Sequence, residues 1–190
     1  MAVEAMLEVL EKRRSVKPMM LAAPGPSAAE LTRILSIAAR VPDHKKLVPW
    51  RFIVFEGEAR TRIGEVFAAA CKAEEKEPPS EVRLDIERKR FLRAPLVVAV
   101  VSSPKAGAPI PDWEQILSSG AAAFNLSLAA TALGYGVCWI TEWVAYSPMV
   151  QAALGLAGGE KIAGFVYIGT ANVTPEERER PALADIVTRY

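Results

Sequence analysis

The side chains best suited to chemistry are basic and polar groups at the ends of predicted elements. Arg13, Arg14 and Ser15 form the sequence RRS, directly after the first segment with helical apolar spacing. Guanidinium groups offer forked donors that match a phosphate, and a serine hydroxyl adds one more donor. The same arginines also suit a helix C-terminus, where cations interact favourably with the macrodipole. Both a phosphate site and a helix-end role therefore stay open.

The one histidine of the chain, His44, lies in the loop RVPDHKKLVPWRF, which runs from Arg40 to Phe52. Its imidazole changes protonation near neutral pH, although a histidine in a loop is most often a solvated surface residue. The loop connects a predicted helix to a predicted strand, and such junctions often line pockets. A single histidine argues against a His-based zinc site, and we expect no metal.

Two further stretches carry weaker signals. GYGVCWIT places glycines beside a strand that ends in Trp139, Ile140 and Thr141, so a planar ligand could approach the backbone. The chain has no GxGxxG sequence and therefore no Rossmann dinucleotide fingerprint. PDWEQ places Trp113 and Glu114 at a helix start, where an acid interacts favourably with the helix dipole.

Composition limits the class of protein. The 190 residues, 51% of them hydrophobic and 24% charged, suit one compact domain spanning residues 1–190. The net charge of +1 gives no global field for nucleic acid or an anionic membrane, so we expect neither as a partner. The N-terminus lacks the charge order of a signal peptide, and Cys71 and Cys138 form no CxxC pair. We expect a cytoplasmic protein.

Periodicity predicts a mixture of helices and strands. Ser27 and Glu30 form a capping-box pattern, and the run PLVVAVVSS is typical of a strand buried on both faces. This pattern predicts one α/β or α+β layer fold with about four to five strands. Helices are predicted over residues 3–14, 28–40, 58–76, 81–93, 112–133 and 148–154, and strands over 51–57, 95–103, 134–141 and 161–170.

The predicted helix over 112–133 has small apolar residues almost all the way round. At about 1.5 Å per residue it is about 33 Å long, which is long for a chain of this size. Such a helix is buried in a large core or against a second chain. The pattern favours a dimer with this helix at or near the subunit interface.

The order and spacing of these motifs resemble the flavin-dependent nitroreductase family, within its small single-domain subgroup of NAD(P)H nitroreductases. The resemblance covers nearly the whole chain. It implies an α+β fold, an α/β/α sandwich with a central mostly antiparallel sheet, and an intertwined homodimer that binds two FMN molecules at its interface. The motifs that carry it are RRS, ARVPDHKKLVPWRF, RAPLVVAVV, WEQ, GYGVCW and IAGFVYIGT.

The resemblance also implies which residues bind the flavin. Arg13, Arg14 and Ser15 match the stretch that holds the FMN phosphate and ribityl chain. Arg40 and His44 match flavin-contacting positions that the partner subunit donates in this family. His44 is thus expected to be a hydrogen-bond donor in a loop shaped by prolines, and not a general base.

On the other side of the flavin, Trp139, Ile140 and Thr141 match the stretch that passes the ring. Here the chain departs from the family, because close relatives carry a WRSG-like stretch with an arginine at the position of Ile140. The sequence WITEW loses that charge and gains the acid Glu142. Arg189, near the C-terminus, is a candidate for a compensating phosphate contact.

The function implied is a ping-pong oxidoreductase. NAD(P)H passes a hydride to FMN, and an acceptor such as a nitroaromatic or quinone is then reduced; the protein need not supply a catalytic acid or base. One alternative is an FMN-binding storage or sensor protein without turnover, in which Glu142 and Trp143 cover the flavin face. Another is an interaction protein built around the long apolar helix, which would be a colourless dimer.

Overall fold

The computed structural model describes residues 2–190 and contains helices and strands in mixed order. The helices are α1 (Ala2–Lys12), α2 (Ala28–Ala38), α3 (Glu58–Glu74), α4 (Glu81–Arg88), α5 (Asp112–Ala132), α6 (Pro148–Ala153) and α7 (Leu183–Ile186). The strands are β1 (Leu21–Ala22), β2 (Trp50–Glu56), β3 (Leu96–Ser102), β4 (Gly136–Ile140) and β5 (Lys161–Ala171).

Local sequence signals set most of these boundaries. The Ser27 hydroxyl accepts a hydrogen bond from the Glu30 amide, and the Glu30 carboxylate accepts one from the Ser27 amide, so the capping box opens α2 as predicted. The predicted helix over 81–93 is in fact α4 followed by a 3₁₀ turn at Arg90–Arg93, which brings Phe91 into the core. The two-residue strand β1 was missed because it is too short for a periodicity signal.

The sheet is antiparallel at every pairing within the described residues, which confirms the mostly antiparallel prediction. Its order is β2–β3–β5–β4, with β1 paired to the C-terminal end of β5. β5 is the central strand, since it pairs with β3 on one side and with β4 on the other.

Helices cover both faces of the sheet, which confirms the α+β sandwich. β3 is buried along its whole length, as the continuous apolar run predicts, and its side chains alternate between two hydrophobic clusters. One cluster joins Leu96, Val98 and Val100 of β3 to α2 and α5. The other joins Val97, Ala99 and Val101 to α3, Phe91 and β5.

Helix α5 buries one side in the core and leaves apolar side chains on the other side exposed. Ala122, Ala123 and Leu126 are buried, whereas Trp113 and Phe124 are exposed. The rest of the chain therefore buries only one of the two apolar sides of α5. None of the helices in residues 2–190 has the length and apolar character needed to cross a membrane.

The core on the α3 side is organised around Phe91. Its ring makes edge-to-face contacts with Phe55, Phe67 and Phe165, at centroid distances of 5.0, 4.8 and 5.0 Å. The Tyr167 ring is a fourth neighbour at 5.6 Å. Such aromatic pairs stabilise a core beyond the area that they bury.

Replacing Phe91 should therefore be among the most destabilising substitutions in the core. We expect Phe91→Ala to lower the free energy of unfolding by roughly 3–5 kcal/mol, measured by urea denaturation, because it opens a cavity among four aromatic rings. Leu92→Ala is the matched control, since Leu92 is exposed on the same turn, and should cost no more than about 1 kcal/mol. Equal losses in the two variants would contradict this description of the core.

Candidate functional site

The RRS segment leaves α1 and runs beside β4. Helix α1 ends at Lys12, so Arg13, Arg14 and Ser15 follow it in a segment without regular secondary structure. The next residue, Val16, is buried, and its amide donates to the carbonyl of Val137 in β4 at 2.9 Å. This one backbone bond holds the three polar side chains next to the strand that carries Trp139.

A cavity of about 170 Å³ lies where these two segments meet. The guanidinium of Arg13 lies over the Phe124 ring, 5.8 Å from its centroid. Neither the Arg13 guanidinium nor the Ser15 hydroxyl forms a hydrogen bond with any of residues 2–190, so both keep donors available for a ligand. The lining residues are Arg13, Arg14, Ser15, Phe124, Ser127, Thr131, Val137 and Trp139.

Arg14 also lines this cavity but is paired with the C-terminal segment. Its guanidinium donates to the backbone carbonyl of Glu176 and to the Glu177 carboxylate, the latter at 3.2 Å. The Arg14 side chain is only 15% exposed. A carboxylate thus binds the guanidinium that the family resemblance assigns to the FMN phosphate. Thr174 and Pro175 of the same C-terminal segment line a neighbouring cavity of about 540 Å³.

Trp139 forms one wall of the smaller cavity. It is 38% exposed, and its indole N–H donates to the Ala163 carbonyl at 3.2 Å. The indole lies directly over Gly164, where an added Cβ would come within 1.9 Å of the indole nitrogen. A glycine is therefore required on β5 for Trp139 to lie flat against the sheet with one part open to solvent.

The other predicted residues of this stretch have structural contacts. Ile140 is partly buried and packs against the core cluster that contains Phe91. The Thr141 hydroxyl is 3.4 Å from the Tyr146 hydroxyl. Arg189 forms no hydrogen bond or ion pair with any of residues 2–190, so the contact expected to replace the missing arginine is not formed within one chain.

Glu142, the acid gained at this position, points towards two arginines. Its carboxylate lies 2.6 Å from the Arg90 guanidinium and 2.7 Å from that of Arg93. Burial alone raises the pKa of Glu142, but hydrogen bonds from Arg93 and Arg90 outweigh it and hold the pKa below its ordinary value. The backbone of Glu142 is left-handed, with φ of 56°, which is uncommon for a residue other than glycine. The added charge is therefore neutralised locally.

These arginines belong to a buried charge network that the sequence reading missed. Glu87 is fully buried and binds Arg90 at 2.5 Å through both carboxylate oxygens; it also pairs with Arg83. The Trp143 indole N–H donates to the same carboxylate at 3.2 Å. Trp143 is therefore held by the network. The i,i+3 spacing of Glu87 and Arg90 was the available signal, but it is equally typical of a solvated helix face.

Arg40 and His44 lie away from the RRS cavity. The Arg40 side chain is exposed, and its carbonyl accepts from the Asn125 amide at 3.3 Å. The His44 Nδ1 is 2.8 Å from Glu114 Oε2 at the start of α5. Ser127, which lines the cavity, is about 20 Å further along the helix axis at about 1.5 Å per residue. One chain does not bring all the predicted flavin contacts together.

Residues 10–170 match the family model described as "Nitroreductase family". The chain belongs to the nitroreductase family. It is 38% identical over 167 residues to the protein named "Putative NAD(P)H nitroreductase YdjA" of Escherichia coli (strain K12), covering 86% of this chain and 87% of that one. Membership confirms the resemblance noted from the sequence and makes the chain an oxidoreductase.

Solved structures share the fold. A nitroreductase-like family protein from Bacillus cereus has a TM-score of 0.82 and 24% identity, over 97% of this chain and 95% of its own. A nitroreductase with bound FMN from Desulfitobacterium hafniense has a TM-score of 0.68 and 23% identity, over 98% of both chains. Both likenesses confirm the predicted α+β architecture.

The charge network around Glu142 should make the free energy of unfolding depend on pH. Because the folded pKa of Glu142 lies below the ordinary value of 4.5, its stabilising contribution is present above that pH and is lost as the pH falls through the folded pKa. Glu142→Gln should lower the free energy of unfolding at neutral pH by up to about 3 kcal/mol, less than a fully buried pair.

The difference between wild type and Glu142→Gln should then shrink as the solution is acidified, which urea denaturation at a series of pH values will show. Glu11→Gln is the control, because that carboxylate is exposed and forms no ion pair with any of residues 2–190. A Glu142→Gln penalty that stays constant down to strongly acidic pH would contradict the assignment.

Proposed function

We propose that the protein is an FMN-dependent NAD(P)H oxidoreductase that reduces an acceptor such as a nitroaromatic or a quinone by a ping-pong mechanism. Family membership supports the reaction class. The name of the E. coli relative supports NAD(P)H as the reductant. The FMN bound to the Desulfitobacterium hafniense structure supports the cofactor.

The observation that carries the proposal is the convergence of Arg13, Arg14, Ser15 and Trp139 on one cavity. Two guanidinium groups and a hydroxyl are donors suited to a phosphate dianion, and an aromatic wall suits a planar ring. The donors of Arg13 and Ser15 have no partner in residues 2–190, so a phosphate would satisfy them without breaking a protein contact. The residues present therefore fit FMN.

Within this proposal the chain binds and orients, and FMN when bound supplies the redox chemistry. Arg13 and Ser15 hold the phosphate. Arg14 joins them when Glu177 releases it. Trp139 and the β4 backbone line the ring, and NAD(P)H and the acceptor use the open side in turn. No side chain of the cavity is required as an acid or base.

A homodimer belongs to the proposal. Met6, Leu7 and Leu10 of α1 are exposed although they are apolar and share one helix side. Met6 and Leu10 border a groove of about 380 Å³ that also includes Ile37 and Leu128. Exposed apolar patches of this kind are typical of interaction sites. A second copy would cover them and would bring Arg40 and His44 to the cavity of its partner.

We expect sedimentation velocity to give a dimer for the wild type, and a monomer for Leu10→Asp, because an unpaired charge in an apolar interface is strongly unfavourable. The variant should also lose FMN affinity, since two of the predicted contacts, Arg40 and His44, come from the partner. Val82→Asp is the control, because Val82 is exposed on α4, away from the groove. A wild-type monomer that is fully loaded with FMN would refute the two-chain site.

Arg13 provides the sharper test of the phosphate site. Removing its charge-assisted hydrogen bond, worth roughly 1.5–3 kcal/mol, should weaken FMN binding by about ten- to a hundredfold in a flavin fluorescence titration of Arg13→Ala. Arg14→Ala should weaken it as well, by less than the full amount, because that guanidinium must first leave Glu177.

Lys12→Ala is the matched control for Arg13→Ala. Lys12 is the adjacent cation, but it is exposed and pairs with Glu8 on its own helix at 2.9 Å. Its removal should leave FMN affinity within about twofold, since Lys12 does not line the 170 Å³ cavity and its surface ion pair contributes little to the fold. If Arg13→Ala binds FMN as tightly as Lys12→Ala, the arginines of the RRS segment do not bind the phosphate and only interact with the dipole at the C-terminus of α1.

A further inference from the structure

The His44 loop has a conformation that its sequence does not favour. Lys45, Lys46 and Val48 all have left-handed backbones, with φ of 58°, 55° and 49°. This region is uncommon for any residue but glycine, and a β-branched valine there is an outlier. Residues held in such conformations cluster at functional sites, where the surrounding structure determines them.

Two sets of contacts hold the loop. The Asp43 carboxylate accepts from the amides of Leu47 and Val48, both at 2.9 Å. Helix α5 holds the other side, since the Ser118 hydroxyl donates to the Pro42 carbonyl and Glu114 contacts His44. The loop is thus fixed to α5 at His44 itself.

The contact between Glu114 and His44 determines what the imidazole can do. An ionised carboxylate only accepts hydrogen bonds, so at 2.8 Å from Glu114 the Nδ1 atom of His44 carries a proton. The Nε2 atom forms no hydrogen bond with residues 2–190 and is the ring atom left for a ligand. The His44 side chain is 56% exposed, so a ligand can reach it.

In this tautomer a neutral imidazole offers only a lone pair at Nε2. The phosphate and carbonyl oxygens of a flavin are acceptors, so Nε2 can bind them only after taking up a second proton. The charged groups near His44 are Asp43, Lys45 and Lys46 on its own loop, and Asp112 and Glu114 in the first turn of α5. Of these, Glu114 is the one in direct contact with the ring.

We propose that Glu114 is a positioning residue that fixes the orientation and tautomer of His44, so that His44 meets the flavin as an imidazolium between the Glu114 carboxylate and a flavin oxygen. The proposal rests on the proposed function for the identity of the ligand. It adds to the proposed function that His44 contributes a charged donor and that FMN binding is coupled to the uptake of a proton at Nε2.

The first experiment reads the tautomer directly. Since His44 is the only histidine, a ¹⁵N imidazole spectrum of untagged, cofactor-free protein at alkaline pH contains the signals of one ring. We expect the Nδ1–H tautomer in wild type and in Glu114→Gln, whose amide oxygen can still accept. We expect a shift towards the Nε2–H form that free imidazoles favour in Glu114→Ala. The same tautomer in wild type and in Glu114→Ala would overturn the proposal.

The second experiment measures FMN affinity at roughly pH 6 and pH 8.5, on either side of ordinary histidine titration. Wild-type affinity should fall between the two by about tenfold or more, because Nε2 loses its charge-assisted hydrogen bond to the flavin when the ring becomes neutral. Glu114→Ala should show a much smaller change, because its neutral ring can still donate from Nε2. Glu114→Gln should bind FMN more weakly than wild type at the lower pH, because an amide does not stabilise the imidazolium. Asp112→Ala is the matched control, because it removes an acid from the same helix turn without touching His44, and should behave as wild type.

The two experiments separate this inference from the function on which it rests. Protein that binds no FMN at either pH contradicts the proposed function, and the tautomer spectrum alone then decides the role of Glu114. FMN binding with a pH dependence that is equal in wild type and Glu114→Ala overturns the charged contact. A tautomer change together with the loss of pH dependence supports both parts.

Discussion

The candidate site depends on how the segment after α1 is fixed to β4. This strand has β5 as its partner in the sheet, and the Val137 carbonyl receives the amide of Val16. That bond and the burial of Val16 in the core keep Arg13 and Ser15 beside Trp139, and the Arg13 guanidinium also lies over the Phe124 ring. The site is therefore built where a loop joins a strand, on the rigid base of a sheet buried on both faces.

Ion pairs hold the chain at the exit from β4. Glu142 turns the chain with a left-handed backbone, and Arg90 and Arg93 hold its carboxylate. Buried ion pairs often add little net stability, because desolvation offsets their attraction. Their value here is specificity of position, since breaking them would leave buried charges unpaired and would release the strand end next to Trp139.

Much of the fold could be predicted because its signals are local. The Ser27–Glu30 capping box, the continuous apolar run of β3 and the order of motifs each depend on residues close in sequence. The charge network could not be predicted, because Glu142 and Arg93 are distant in sequence and their charges look like surface charges until the fold brings them together. The pairing of Arg14 with Glu177 was missed for the same reason. Glu114 was assigned to the helix dipole, since no sequence pattern links it to His44.

The central claim is that NAD(P)H reduces FMN bound to the protein and that an acceptor then reoxidises it. The most direct test is the absorbance spectrum of purified, FMN-loaded protein before and after adding NADPH, and in parallel NADH, without oxygen. The account predicts a yellow protein whose flavin absorbance is bleached by at least one of the two and returns when a quinone or nitroaromatic is added. A yellow protein that neither nucleotide bleaches would contradict the account and favour a storage or sensor role.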